Sequence, residues 1–256
     1  MIRPFQPKDA PLVLALVREL LPLRVESEAS VLRIGNAARC WVAEDGGGVV
    51  GFGRVQGRRL WLGVAPAVRG HGIGAALWAR IEEHADEPAV CWTDDAAGVA
   101  FAEARGFRPT ATRIISVLDL AAVDPAESSP PAGVHLVRWP ELDAPVDELE
   151  AVERADSPDL APQGSFVAVS DGRAVAYALL TTDERGLAEN EFTATLPDCR
   201  GRGLATLCKL ASIRWAKANG IHTIVAGNDG GNAPMLAINR KLGYRRHHER
   251  TELART

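Results

Sequence analysis

One short pattern occurs twice in this 256-residue chain and limits what it can fold into more than any other feature. Residues 200–205 read Arg-Gly-Arg-Gly-Leu-Ala, and residues 69–74 read Arg-Gly-His-Gly-Ile-Gly. Each copy follows an extended apolar segment that ends in a proline-containing turn, at 61–66 and at 192–197. Each also precedes a helical pattern: Leu204, Leu207, Cys208, Ala211 and Trp215 in one case, and Ile73, Leu77 and Ile81 in the other, recur at the three-and-four spacing of one helix face. The unit is strand, glycine-rich turn, helix. The first N–H groups of a helix have no intrahelical partner, and the helix dipole adds partial positive charge at the same end. Glycines in the turn adopt positive φ at little cost and let a bulky anion approach the backbone. With Arg69 or Arg200 at the entrance, each copy suits a phosphate or pyrophosphate. Neither has the Gly-Lys-Ser/Thr ending of a P-loop or the GxGxxG spacing of a dinucleotide fold.

Other landmarks repeat at similar spacing. Arg3 and Arg138, Trp41 and Phe166, Arg69 and Arg200, and Gly106 and Gly243 lie 135, 125, 131 and 137 positions apart. Such near-constant offsets indicate a duplicated domain. Residues 124–133, rich in proline and small polar side chains, support neither a helical nor a strand period and read as a linker. The expected domains are therefore 1–123 and 134–256. In the first, a strand at 2–5 leads to a helix capped by Asp9, then a hairpin of 40–43 and 49–55 around a glycine-rich turn. A strand at 59–64 enters the first loop, and after its helix come a short buried strand at 89–92, a helix at 96–105 and a last strand at 113–120. The second half restarts at 136–140 and repeats the hairpin at 166–169 and 174–180.

The formal net charge of −4, from 29 basic and 33 acidic side chains, is shared evenly by the halves, so neither carries a field that recruits nucleic acid. The sequence shows no signal peptide and no apolar run of membrane length, and a cytoplasmic protein without a membrane partner is expected. Cys40, Cys91, Cys199 and Cys208 form no CxxC pair and have no histidine at metal spacing, so no metal site is expected. Cys40, Cys91 and Cys208 sit in apolar runs as core residues, whereas Cys199, inside the turn, is expected to be more exposed.

Strand, Arg-x-x-Gly-x-Gly/Ala and helix resemble the acetyl-CoA-binding motif of the GNAT superfamily of N-acetyltransferases, and nearly the whole chain resembles a tandem GNAT protein. The resemblance implies an α/β (α+β) fold of two tandem domains, each a mixed, mostly antiparallel twisted sheet flanked by helices, with splayed central strands. It implies acetyl-CoA as cofactor, its pyrophosphate on the loop amides and its pantetheine arm along the preceding strand. Carried onto this sequence, the binding positions are Thr195, Leu196, Arg200, Gly201, Arg202, Gly203, Leu204 and Ala205 in the second half. In the first half they are Val64, Arg69, Gly70, His71, Gly72, Ile73 and Gly74. Asn228, Asn232 and Asn239 resemble the polar stretch that holds the CoA arm, although Asn228 and Asn232 also suit helix capping. The first half has Asp94 and Asp95 instead, carboxylates ill suited to a CoA path, so that site is expected to be weak or vestigial and its domain structural.

The resemblance also implies a carboxylate base on the strand entering the loop. Glu189, Glu191, Thr193 and Thr195 share one face if the strand alternates regularly, and Glu191, four residues before Thr195, is the choice; Leu60 takes its place in the first half. Both glutamates also suit a solvated strand edge. The tyrosine that many GNAT enzymes carry four residues before the Gly-Phe/Tyr pair, as acid toward the leaving thiolate, is Asn239 here and Ala102 in the first half. A thiol with a pKa of about 8.5 leaves tolerably without it. The expected reaction is direct attack of a small-molecule amine on the thioester in the second domain, with a non-catalytic CoA-binding or interaction protein as the alternative. The acidic residues Asp143, Asp147, Glu148, Glu150, Glu153, Asp156 and Asp159 could attract a cationic amine or simply solvate a helix face. His247 and His248 have no partner that the sequence identifies.

Overall fold

The computed structural model describes residues 1–143 and 156–255 and divides into two compact units. The first comprises Met1–Ile114 together with His248–Thr256, and the second Ile115–His247. The first unit therefore takes back the end of the chain, where the sequence had suggested a division through 124–133. The return is made by the long final strand.

In the first unit, β1 (Ile2–Pro4), β2 (Arg39–Asp45), β3 (Gly48–Gln56), β4 (Arg59–Val64) and β5 (Ala89–Thr93) lie in sequence order. The neighbour of β5 is β12 (Arg245–Arg255), antiparallel to it with Thr251 opposite Thr93 and Arg255 opposite Ala89. All these pairings are antiparallel except β4 with β5. The β2–β3 hairpin turns through Gly46 and Gly47, both at positive φ, as the sequence requires. Helix α1 (Ala10–Leu20) packs with α2 (Glu28–Ala37) over one apolar cluster containing Val13, Leu16, Val42 and Phe52. Helices α3 (Ile73–Glu82) and α4 (Ala96–Glu103) contribute Leu77, Ile81 and Ala102 to a second cluster, which also holds Phe107 and Leu253. Asp9, expected to cap α1 with its side chain, instead accepts from the Gln6 N–H at 2.8 Å and pairs with Arg3 at 2.7 Å, fixing the turn that precedes the helix.

The second unit repeats the plan. Strands β7 (Val134–Arg138), β8 (Phe166–Ser170), β9 (Arg173–Thr182), β10 (Leu187–Thr195) and β11 (Thr223–Asp229) follow in order, and β11 has β6 (Arg108–Asp119) on its other side. Ile115–Asp119 of β6 belongs to this unit. The parallel pair is β10 with β11. Helix α5 (Leu204–Ala218) crosses between them and α6 (Ala233–Lys241) follows β11.

A parallel pair needs a crossover, and here a helix supplies it in each unit. The paired register is short in both: Arg59 opposite Val90 and Leu60 opposite Cys91, then Leu187, Ala188 and Glu189 opposite Thr223, Ile224 and Val225. Beyond Leu60 and Glu189 the strands continue without this pairing, which opens a gap ahead of the helix N-terminus.

Leu253 is fully buried in the first unit although it lies three residues from the chain end. Leu253→Ala should lower the unfolding free energy of that unit by about 2–5 kcal/mol. A denaturant titration of the full chain would show this as an earlier transition, and an unchanged transition would place the residue outside the core.

Candidate active site

The two loops have the same local geometry. After short 3₁₀ turns at Pro66–Val68 and Pro197–Cys199, Gly70 and Gly72 have φ of 82° and 81°, and Gly201 and Gly203 have 78° and 76°. Gly72 and Gly203 are the N-caps of α3 and α5. No atom lies within 4 Å of the Cβ that any of the four would carry, so the space in front of each loop is open. Within each helix the first bond runs back to the cap carbonyl, from Ala76 N–H to Gly72 and from Leu207 N–H to Gly203. The N–H groups of Ile73, Gly74, Leu204 and Ala205 belong to the turn that has no intrahelical acceptor. Both loops thus fit the diphosphate of a coenzyme A thioester through backbone donors and dipole.

The loop arginines are held by their own strands: Arg69 Nε donates to the Val64 carbonyl at 3.0 Å and Arg200 Nε to that of Thr195 at 3.3 Å. His71 and Arg202 are exposed. The structure does not bring Leu196 to an open position, since its side chain is buried and its N–H is bonded to Val175 O at 2.9 Å. Leu204 is buried as well and can offer only its backbone. Asn232 caps α6, accepting from Met235 N–H at 3.2 Å, whereas Asn239 donates to Asn228 at 2.6 Å across the gap from α6 to β11. Cys199, expected to be exposed, is buried in its turn.

In the first unit a cleft of about 410 Å³ runs from this loop into the core, lined among others by Leu60, Val64, Trp78, Ile81, Phe101 and Phe107. Its volume is that of a small-molecule site. The carboxylates thought to spoil it are neutralised. Burial would raise the pKa of Asp94, but Arg250 and His248, the latter at 3.1 Å, hold its carboxyl below the usual range. Asp95 caps α4 and lies 3.4 Å from Arg69. His248 therefore has the partner that the sequence did not reveal.

The second unit differs on the strand that enters its loop. Asn190 pairs with Leu180 and Phe192 with Leu179, so Glu191 is the extra residue of a β-bulge. This corrects the expected alternation: the bulge resets the side-chain parity, and Glu189 does not share a face with Thr193 and Thr195. In the first unit β4 pairs with β3 without a bulge, from Arg59 to Val64. Of the acidic run, Asp147, Glu148, Glu150 and Glu153 lie outside the described residues; Asp143 and Asp156 are exposed and Asp159 is buried.

Sequence reasoning missed a buried polar group behind the bulge. Lys209, on α5, is 1% exposed and donates to Asn190 Oδ1 at 2.8 Å, while the Tyr244 hydroxyl donates to the same oxygen at 2.9 Å. The lysine ammonium lies 5.0 Å from the Tyr244 ring. Burial alone lowers the Lys209 pKa to about 7. The available signal was a lysine between Cys208 and Leu210, on a helix otherwise apolar over that turn.

The folded pKa of Lys209 lies below its unfolded value of about 10.4, so the folded state binds fewer protons between the two. Stability of the second unit should therefore rise with pH from about 7 to about 10, by at most about 1.4 kcal/mol per pH unit. Lys209→Met should flatten that slope in denaturant titrations across this range. An equal slope in both proteins would show that the amine titrates normally.

Comparison with known proteins agrees with this geometry. A family model described as "Acetyltransferase (GNAT) domain" matches residues 36–109, and one described as "Acetyltransferase (GNAT) family" matches residues 133–244. Proteins named mycothiol acetyltransferase are similar: that of Rhodococcus jostii (strain RHA1) is 25% identical over 255 residues, 86% of this chain and 84% of the relative. That of Tsukamurella paurometabola is 26% identical over 225 residues, 75% of this chain and 76% of the relative. Among solved structures, a tandem GNAT protein from the clavulanic acid biosynthesis pathway has a TM-score of 0.78 at 22% identity, covering 99% of this chain and 97% of its own. A GCN5-related N-acetyltransferase from Sphaerobacter thermophilus has a TM-score of 0.73 at 20% identity, covering 100% and 95%. With two glycine-capped loops, two diverging parallel pairs and a matching model over each, the chain belongs to the GNAT acetyltransferases, as an acyltransferase with two such domains in tandem.

Proposed function

We propose that the protein transfers acetyl from acetyl-CoA to the amine of a small molecule, and that the second unit carries the reaction. The observation that supports this reading is the bulge at Glu191, a carboxylate residue two positions past the last pair of β10 with β11 on the strand that enters a glycine-capped loop. Bound acetyl-CoA supplies an activated thioester. The N–H groups after Gly203 hold its diphosphate, and Asn228 and Asn239 line the way past β11. Glu191 accepts the proton of the attacking amine, directly or through one water. Backbone N–H groups of the strand leading to Thr195 receive the developing oxyanion.

The first unit keeps the open cleft and the loop, but Leu60 stands where Glu191 does and cannot move a proton. That unit holds a CoA thioester without consuming it. The names of the similar proteins support an acceptor related to mycothiol, that is, an amine on a small polar molecule.

Release of CoA thiol, followed with a disulfide reagent across a panel of amines that includes mycothiol precursors, tests the assignment. Glu191→Gln should lower kcat on the best amine by about 10²–10⁴-fold while acetyl-CoA binding is retained. Unaltered turnover would remove Glu191 from the mechanism.

A further inference from the structure

The residues that floor the first unit's cleft have counterparts in the second, and the two sets are chemically opposed. Trp78 and Lys209 are each the sixth residue after the cap glycine, and Ile81 and Ser212 the ninth. Ala102 and Asn239 each lie four residues before the glycine that precedes Phe107 and Tyr244. Leu60 corresponds to Glu191, four residues before the strand end. The first set is apolar, and Trp78 and Phe107 meet edge to face at 5.7 Å. The second is polar throughout, yet Lys209, Ser212, Asn239 and Tyr244 are each at most 5% exposed.

Polar groups buried to this degree are normally satisfied. Here three atoms have no hydrogen-bond partner among the described residues: Asn190 Nδ2, Ser212 Oγ and Asn239 Oδ1. Asn239 Nδ2 is already spent on Asn228, and Asn190 Oδ1 on Lys209 and Tyr244. Each such atom left unbonded carries a desolvation penalty, which a hydrogen bond to water or to a ligand atom would remove. Unit one needs none, since its floor is apolar.

Resting on the reading that the second unit binds acetyl-CoA, we propose that Lys209 supplies, through water held by Asn190, Ser212 and Asn239, the proton taken up by the departing thiolate. The amine lone pair forms the new C–N bond as the C–S bond breaks, and the C–S electron pair goes to sulfur. Sulfur takes a proton from the Lys209 ammonium, the amine proton passes to Glu191, and exchange of both groups with solvent restores them. Asn239, which stands where many relatives have a tyrosine acid, cannot give up a proton and serves here as a water ligand. Lys209 is a positioning and relay residue in this scheme. The charged or titratable groups on the strands packed against α5 are Tyr177 and Arg173 on β9 and Glu189 and Glu191 on β10, and Tyr244, immediately before β12, also meets it. Tyr244 lies against the ammonium, and burial raises its pKa, so its phenol stays neutral.

The ionisation of the CoA thiol reads this directly and requires no acceptor. CoA is bound to the full chain carrying Arg69→Ala and Gly72→Ala, so that the second unit alone is loaded, and thiolate absorbance in the far ultraviolet is titrated against pH. An ammonium within reach of the sulfur favours the thiolate, and Lys209 keeps its charge up to about pH 7, so at pH 7 and below the bound thiol should be several-fold more ionised with Lys209 than with Lys209→Met, the two curves converging at higher pH. Lys209→Gln, which keeps a hydrogen bond to Asn190, should behave like Met, and Ser212→Ala should give part of the difference. Equal thiolate fractions at pH 7 and below in lysine, methionine and glutamine chains that all bind CoA would overturn the relay and leave the acetyltransferase reading intact. Failure of the lysine chain to bind CoA would overturn both.

Discussion

Everything functional in this protein depends on a glycine in the left-handed conformation placed one residue ahead of a helix. At Gly72 and Gly203 any side chain would be strained at φ near +80°. Each glycine turns the chain so that the helix starts with its free N–H groups facing open space. The same turn ends the strand before the helix, and the helix then returns the chain to a parallel strand that pairs for only two or three residues. Anion seat and strand gap are thus two results of one backbone geometry.

On that shared frame the two units have diverged by side chain. Around the gap of the first unit, Leu60, Trp78, Ile81 and Phe107 make an apolar cleft with a measurable volume. In the second, Glu191, Lys209, Ser212 and Asn239 occupy the equivalent sequence positions, and three buried polar atoms of Asn190, Ser212 and Asn239 lack hydrogen-bond partners among the described residues. On the proposed reading, the apolar floor would retain a thioester and the polar set near the bulged Glu191 would provide for proton movement. Keeping a charged lysine inside the second unit lowers its stability at neutral pH, a cost that an apolar residue of similar size would avoid.

Much of the frame was legible in the sequence because it rests on residues with strong local rules. The cap glycines, the Gly46–Gly47 turn and the three-and-four spacing of α5 each left a signature. The return of β12 to the first unit did not, because 245–255 reads as one continuous strand and nothing in its composition marks which neighbours it pairs with. The bulge at Glu191 was hidden for a similar reason: an extra residue in a ladder is visible only against its partner strand, so regular alternation put Glu189 on the wrong face. Pairing between distant residues likewise concealed the Asp94–Arg250 and Asp94–His248 contacts, and made the first site look more anionic than it is. Lys209 was passed over because a lysine on a helix ordinarily reaches solvent.

The central claim is that the loop at Gly203 binds the acyl donor. Calorimetric titration of acetyl-CoA into the unaltered chain and into Arg200→Ala/Gly203→Ala and Arg69→Ala/Gly72→Ala chains tests it without knowledge of the acceptor. The account predicts that the first pair of substitutions removes one binding event and the second pair removes another. A titration unchanged by Arg200→Ala/Gly203→Ala, or no binding to the unaltered chain, would contradict it.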